Sequence, residues 1–423
     1  MKKIRYEDVD EVVYFEKLTN GLEIYMYPNN KAKNFYLTFN TKFGSLDTEF
    51  KFEKNSKVEK LPHGTAHFLE HQMFRCNDGS TAFEGFASLG SSINAYTSYD
   101  VTCYEVISSD KLKENLELLL DFVQDPYFKA ANVNSEKKII KEEINMYKDT
   151  PSSKLNFGLE YNLNINDNHK YLISGEVGDI KKITPEVLTL AYDTFYHPEN
   201  MFMIITGKFK PLEILGIIKE NQSKKEFNPY KNTIKIHKKE PMKLSKPYEA
   251  VKMNVNIPKI KIAYKIPKKD LKNYNYNILS IYLDLILESK FGCTSDLTES
   301  LLEENLITDN LTTSRDIRDD YVLISIETES EYKEQVIDLI TNTIHNMKIS
   351  KEELERFKRV SISNYILHFD DIISVQEGIQ EDVLKNGKVT TNMHELYKSL
   401  SLGEANKIIS LMDFSNECIY IIE

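Results

Sequence analysis

Two histidines and one glutamate in the segment His67-Phe-Leu-Glu70-His71 have the residue types and the spacing of a catalytic metal site. In a helix, side chains three and four residues apart lie on one face, so these three side chains would lie together. Two imidazoles at positions i and i+4 can bind one Zn²⁺ ion. The pattern predicts metal-assisted hydrolysis, in which the metal lowers the pKa of water toward about 7 and Glu70 accepts the proton.

A catalytic zinc ion needs a third protein ligand and one open coordination position. The segment EKKIIKEEINMY, residues 136–147, offers Glu136 and Glu143, which are about two helical turns apart and therefore share a face. One of these carboxylates can bind the metal while the other hydrogen-bonds to a ligating imidazole and fixes its orientation. Glu142 would point about 100° away, toward solvent.

Each of these residues has an ordinary alternative explanation. A glutamate on a charged helix usually belongs to a solvated face, and a single histidine is more often a surface or core residue than a ligand. The combination is different, because two histidines and a glutamate at this spacing occur by chance in only about one chain in a hundred of this length. We therefore predict a metal site.

Apolar periodicity predicts the elements that would position these residues. In the first half, the predicted strands are 21–27, 35–43, 92–97, 101–108 and 202–206, and the predicted helices are 62–74, 110–124, 132–149, 184–195 and 211–222. In the second half, the predicted strands are 249–256, 259–266, 308–315, 321–328 and 418–422, and the predicted helices are 271–289, 295–304, 330–347 and 351–367.

The order of elements in the first half recurs in the second. We therefore predict an α+β fold with two copies of one unit, each an antiparallel-rich sheet packed with helices. A lysine-rich segment of little periodicity, residues 223–245, is predicted to link them. The predicted domains are 1–222, which carries the metal motif, and 246–423, which lacks it.

Composition excludes several classes of function. The chain has 423 residues and a net charge of −11, which disfavours binding to nucleic acid or anionic lipid. No apolar run is long enough to span a membrane, and acidic residues follow the first lysines, so we expect a cytoplasmic protein without a membrane span. Four scattered cysteines predict neither a disulfide framework nor a thiolate metal site.

The sequence resembles the pitrilysin/insulinase family of zinc peptidases, the inverzincins, which includes the mitochondrial processing peptidases. The resemblance rests on HGTAHFLEH at 63–71, the E-x₆-E helix beginning at Glu136, SINAYT at 92–97, and YHPENM at 196–201. It implies one Zn²⁺ ion per chain, with His67, His71 and Glu143 as ligands, Glu70 as the catalytic base and Glu136 as the supporting carboxylate.

The resemblance also implies a clamshell of two homologous domains that encloses a chamber for peptides. An extended peptide would add to an edge strand, with Asn94, Ala95 and Tyr96 as substrate-binding residues. The Asn94 amide could contact the scissile carbonyl, or Asn94 could be an ordinary strand-end residue.

The second half departs from the family pattern. Active single-chain members and homodimers carry an arginine and a tyrosine that face the substrate carbonyl, whereas Leu302 and Thr308 stand at those positions here. Loss of one good oxyanion donor costs about 10²–10³ in rate. The sequence is most similar to the zinc-bearing member of paired bacterial insulinase-like proteins, which implies a homodimer or a heterodimer with a related chain lacking the zinc motif.

A non-catalytic or partner-dependent assembly subunit is the alternative to an active metallopeptidase. Such subunits usually lose one or more residues of the metal motif. This chain keeps His67, Glu70 and His71, together with Glu136 and Glu143, so we favour the peptidase.

Overall fold

The computed structural model describes residues 1–77 and 79–423. Its strands are β1 Lys2–Tyr6, β2 Glu11–Lys17, β3 Glu23–Pro28, β4 Phe35–Thr41, β5 Glu49–Lys51, β6 Glu59–Lys60, β7 Ser92–Thr97, β8 Thr102–Ser108, β9 Met201–Gly207, β10 Ile234–Lys235, β11 Tyr248–Val251, β12 Lys259–Pro267, β13 Thr312–Ile317, β14 Tyr321–Glu329 and β15 Glu417–Ile422.

Helices cover these strands. They are α1 Thr65–Met73, α2 Ala82–Ser88, α3 Leu112–Val123, α4 Ala130–Asp149, α5 Pro151–Leu163, α6 Val177–Ile180, α7 Pro185–Phe195, α8 Pro211–Ser223, α9 Tyr276–Phe291, α10 Asp296–Glu303, α11 Lys333–Asn346, α12 Lys351–His368, α13 Ile372–Asn386, α14 Met393–Ser399 and α15 Leu402–Leu411. Among the residues that the structure describes, no helix is both long and apolar enough to cross a membrane.

The chain forms two compact units, and each is discontinuous in sequence. The first unit contains Met1–Ile144, Leu172–His237 and Ile366–Thr391. The second contains Asn145–Tyr171, Lys238–Tyr365 and Asn392–Glu423. The boundaries predicted above concern contiguous halves of the sequence and stay a prediction.

The first unit is built on a seven-stranded sheet with the order β1-β2-β3-β9-β4-β8-β7. Only β3 and β9 pair in parallel; the other neighbours are antiparallel. Helix α13 packs on β9, β4 and β3, while α1 and α3 contact β8. Strand β7 lies at the edge of the sheet, so the backbone groups on its outer side have no strand partner within it.

The second unit repeats this topology. Its sheet has the order β11-β15-β12-β14-β13, and again the first strand pairs in parallel with the last. The matching strands of the first unit are β3, β4, β7, β8 and β9. When the five strands of each copy are numbered along the chain, both sheets have the order first-last-second-fourth-third. The predicted α+β fold with a duplicated unit is confirmed by this shared order.

Some elements of the structure were not predicted from the periodicity of the sequence. Strands β1 and β2 carry charged residues on a half-exposed ribbon, and α5 was not expected at all. Strand β10 lies inside the predicted linker and pairs with β5, so this segment holds regular structure.

A buried ion pair stabilises the second unit. Lys265 on β12 is 0% exposed, and its Nζ donates to Glu240 Oε1 at 2.7 Å and to the Leu163 carbonyl at 2.8 Å. Glu240 also accepts the backbone N–H groups of residues 165–167. Burial raises the pKa of Glu240, but these hydrogen bonds outweigh it and leave the pKa below its ordinary value. The Glu240 carboxylate therefore stabilises the fold fully at pH values above its ordinary pKa. This stabilisation is lost as the pH falls through the lowered pKa of the folded protein.

We expect Glu240→Ala to lower the free energy of unfolding by about 3–5 kcal/mol, because it leaves the Lys265 charge buried without a partner. Urea denaturation measures this change. The control is Glu329→Ala, which removes the partner of Lys259 on the same strand, where Glu329 is 47% exposed. Such an exposed pair is worth about 0–1 kcal/mol, and equal losses in both variants would contradict the expectation.

Candidate active site

The turn before α1 requires glycine. Gly64 precedes the helix with a φ of +81°, in the left-handed region. A Cβ atom there would lie 2.2 Å from the Ser174 carbonyl oxygen, and one on Gly175 would lie 2.5 Å from the His63 carbonyl oxygen. This close backbone contact fixes where α1 begins and therefore where its histidines point.

Helices α1 and α4 bring together three side chains that could bind a metal ion. His67 Nε2 lies 3.4 Å from Glu143 Oε1, and His71 Nε2 lies 3.6 Å from Glu143 Oε2. The two imidazole rings are 4.6 Å apart between centroids. One ligand atom from each residue lies within 4.8 Å of the other two.

This geometry fits a zinc ion. Ligands about 2.0–2.1 Å from one tetrahedral centre lie about 3.3–3.4 Å from one another, close to the separations between Glu143 and the two imidazoles. Two neutral imidazoles and one carboxylate form a ligand set found in catalytic zinc sites. Among the described part of the chain, His67, His71 and Glu143 are the only group of this kind.

Glu136 lies behind His71. Its Oε1 is 3.1 Å from His71 Nδ1, and its Oε2 accepts a hydrogen bond of 3.2 Å from Arg75 Nη2. The carboxylate is only 4% exposed. Since Nδ1 of His71 faces Glu136, its Nε2 is left to face Glu143. No described residue plays this part for His67, whose Nδ1 is buried without a hydrogen-bond partner among them.

The charges around His71 change its pKa. Burial lowers it, but the hydrogen bond to Glu136 and the charges of Glu70, Glu143 and Glu136 outweigh burial, so the pKa lies above its ordinary value. Burial raises the pKa of Glu136, but the hydrogen bonds to His71 and Arg75 lower it by more. The pKa of Glu136 therefore lies below its ordinary value. This cluster therefore holds a negative charge beside the imidazole, which favours cation binding.

Glu70 lies on the same helix and is 7% exposed. Its Oε2 accepts a hydrogen bond of 2.6 Å from the Thr97 hydroxyl, at the end of β7. Thr97 was part of the quoted strand motif, but it was not predicted as a site residue. Side chains alternate between the two faces of a sheet along a strand. This alternation could have indicated Thr97, because it places Thr97 on the opposite sheet face from Tyr96.

The predicted substrate-binding residues all lie on β7, opposite β8. The Asn94 side chain is exposed, and its amide donates to Glu105 Oε1 at 3.0 Å. Glu105 in turn accepts a hydrogen bond from the Tyr36 hydroxyl. Asn94 and Tyr96 point to the sheet face that carries α13, whereas Ala95 and Thr97 point to the face that carries α1. The substrate contacts predicted for these residues stay predictions.

We expect Glu136→Gln to weaken zinc binding by about 10–100-fold, because the variant loses the charge that orients and polarises His71. Titration with zinc in a competing chelator measures the change. Glu142→Gln is the matched control on α4, since Glu142 is 73% exposed. Equal zinc affinity in wild type and Glu136→Gln would show that Glu136 does not support the site.

Two family models match this chain, one on each side of residue 180. Residues 58–170 match the model described as Insulinase (Peptidase family M16). Residues 182–361 match the model described as Peptidase M16 inactive domain. The histidines and glutamates of the site lie within the first match.

Two curated bacterial relatives are described as zinc proteases. The uncharacterized zinc protease YmfH of Bacillus subtilis is 38% identical over 313 residues, which are 73% of this chain and 72% of the relative. The probable zinc protease PqqL of Escherichia coli is 30% identical over 237 residues, but these are 52% of this chain and only 24% of PqqL.

A solved structure agrees with the fold along almost the whole chain. An M16-like peptidase from Alicyclobacillus acidocaldarius superposes with a TM-score of 0.89 at 25% sequence identity, covering 97% of each chain. Together with the two family matches and the YmfH relative, this agreement establishes that the chain belongs to peptidase family M16, the insulinase/pitrilysin family.

Proposed function

We propose that this protein is a zinc-dependent metallopeptidase that hydrolyses peptide bonds, with His67, His71 and Glu143 as zinc ligands and Glu70 as the general base. The observation that carries the proposal is the convergence of three ligand atoms within 4.8 Å beside a buried glutamate on the same helix. Membership of a peptidase family and the zinc-protease relatives support it.

Each residue of the site has a distinct part in this mechanism. Zinc, when bound, would polarise a substrate carbonyl and lower the pKa of a water molecule. Glu70 accepts a proton from the attacking water and later donates it to the leaving amine. Thr97 holds Glu70 by one carboxylate oxygen, so the other is free to move the proton. Glu136 keeps His71 in one orientation.

The edge strand β7 suits an extended peptide. It ends the seven-stranded sheet, and its last residue, Thr97, contacts Glu70. A peptide that paired with β7 would be held by main-chain hydrogen bonds along residues 92–97, close to the base. An enclosed chamber, which the family resemblance implies, would restrict substrates to peptides and small unfolded proteins.

Hydrolysis of a quenched fluorescent peptide library tests the proposed activity. We expect turnover by the zinc-loaded protein, its loss after chelation, and its return when zinc is restored. Mass spectrometry of the products would show internal cleavage of the peptides. Turnover that survives complete removal of the metal would contradict the proposal.

A second proposal concerns a partner chain. Leu302 packs against the apolar core of the second unit, and Thr308 is a short exposed side chain, so neither position offers a guanidinium or a phenol. We propose that a related chain supplies those donors in a dimer. Co-expression with a family member that lacks the zinc motif tests this idea. Complex formation and stimulated turnover are expected, and turnover that the second chain does not increase would contradict it.

A further inference from the structure

Helix α13 packs on the seven-stranded sheet with polar as well as apolar side chains. Gln376 and Gln380, one helical turn apart, are 2% and 8% exposed. Gln376 Nε2 donates to Thr38 Oγ1 at 3.0 Å, and Gln380 Nε2 donates to Asn40 Oδ1 at 2.6 Å. Both acceptors lie on β4. The helix is therefore fixed to an inner strand by two buried hydrogen bonds.

Gln380 makes a further contact that Gln376 does not. Its Oε1 accepts a hydrogen bond of 2.8 Å from the hydroxyl of Tyr96. Tyr96 lies on β7, two strands away from Asn40 on β4. One amide therefore connects an inner strand to the edge strand across β8, with both of its polar atoms in use.

Strand β7 is consequently held on both faces by neighbouring residues. Tyr96 is bound by Gln380 on the α13 face, and Thr97 is bound to Glu70 on the α1 face. Beyond Thr97, Lys385 Nζ on α13 lies 2.6 Å from Asp100 Oδ2 in the turn between β7 and β8. Helix α13 thus contacts both the strand and the turn that follows it.

Satisfying buried polar groups accounts for the bonds from both glutamines to β4, because Thr38 and Asn40 are fully buried. That explanation does not extend to the second hydrogen bond of Gln380, which comes from Tyr96 on the edge strand. The Tyr96 residue is 36% exposed, and its hydroxyl is held by a side chain from α13. Helix α13 also begins beyond residue 361, where the second family match ends.

We propose that Gln380 is a positioning residue for the edge strand β7, and that through Tyr96 it sets how well this strand pairs with a peptide. The effect on peptide pairing rests on the proposed peptidase function, whereas the positioning of β7 by Gln380 does not. Gln380 would act on peptide binding and leave the chemical step at Glu70 and the zinc ligands unchanged.

Hydrogen exchange of the β7 amides tests the positioning directly, without any substrate. Loss of the hydrogen bond between Gln380 and Tyr96 is expected to increase exchange at residues 92–97 by about three- to ten-fold in Gln380→Met and in Tyr96→Phe. Gln376→Met is the matched control, since it removes a bond of the same kind from the same helix without touching β7. If Gln376→Met changed β7 exchange as much as Gln380→Met, or if neither did, the positioning role would be overturned. Tyr96→Phe removes a single oxygen from a partly exposed residue, so this variant is expected to fold.

Peptide kinetics test the second half of the proposal. We expect KM to rise about three- to ten-fold in Gln380→Met and Tyr96→Phe, with kcat within about two-fold of wild type and unchanged zinc content. The double variant should be no worse than Gln380→Met alone, because that variant already lacks the bond between Gln380 and Tyr96. A fall in kcat at constant KM, or additive effects, would overturn the role in peptide binding. If wild type cleaved no peptide, the proposed function would fail, while the exchange result would still decide the positioning role.

Discussion

The Glu70→Gln variant is expected to bind zinc as tightly as wild type and to hydrolyse peptides about 10²–10⁴-fold more slowly. The amide has nearly the shape of the carboxylate and can still accept the hydrogen bond from Thr97, but it cannot take a proton from water. Single-turnover kinetics on a quenched peptide, with zinc measured in the same samples, separate the two quantities. A fall in kcat with little change in KM is the expected pattern.

Glu142→Gln is the control for this experiment. Glu142 stands next to the proposed ligand Glu143, yet its side chain is 73% exposed and points away from the site. This variant removes the same charge and should keep both turnover and zinc. Turnover by Glu70→Gln equal to that of Glu142→Gln would show that Glu70 is not the base.

The second large effect is expected in Glu143→Gln. A neutral amide is a poor zinc ligand, so two imidazoles would be left to hold the ion, whereas catalytic sites use three protein ligands. We expect the zinc content after dialysis to fall from about one ion per chain to nearly none, with loss of turnover. The Glu143 side chain is 20% exposed and glutamine has nearly the same shape, so we expect the variant to fold.

Calorimetric titration with zinc would distinguish this result from a general loss of structure. The circular dichroism spectrum of Glu143→Gln should match that of wild type after metal removal. Retention of a full zinc ion by this variant would mean that the metal is held elsewhere.

The candidate metal ligands have a signal in the sequence because their spacing is local. His67 and His71 are four residues apart, and Glu136 and Glu143 are seven apart, so helix geometry alone places each pair on one face. The pairing between helices α1 and α4 is not local: the residue types made Glu136 and Glu143 candidates, and the family resemblance implied which of them binds the metal. The structure places the two pairs together as that resemblance implied.

Other parts of the site lack a local signal. Arg75 lies two residues beyond the end of α1, so helix spacing does not place its side chain beside Glu136. The contact of Gln380 with Tyr96 joins residues 284 positions apart, and nothing in either segment points to the other. The discontinuity of the two units could not be predicted for the same reason, because it depends on contacts between distant residues. Helix α13 packs on a sheet formed mainly by the first half of the chain.

Anomalous X-ray diffraction at the zinc absorption edge, on crystals of the zinc-loaded protein, tests the central claim most directly. We expect one strong anomalous peak between the Nε2 atoms of His67 and His71 and the Glu143 carboxylate, about 2.0–2.2 Å from each, and no such peak for Glu143→Gln. A peak located away from these three residues, or an equally strong one in the variant, would contradict the assignment of this site as the zinc centre.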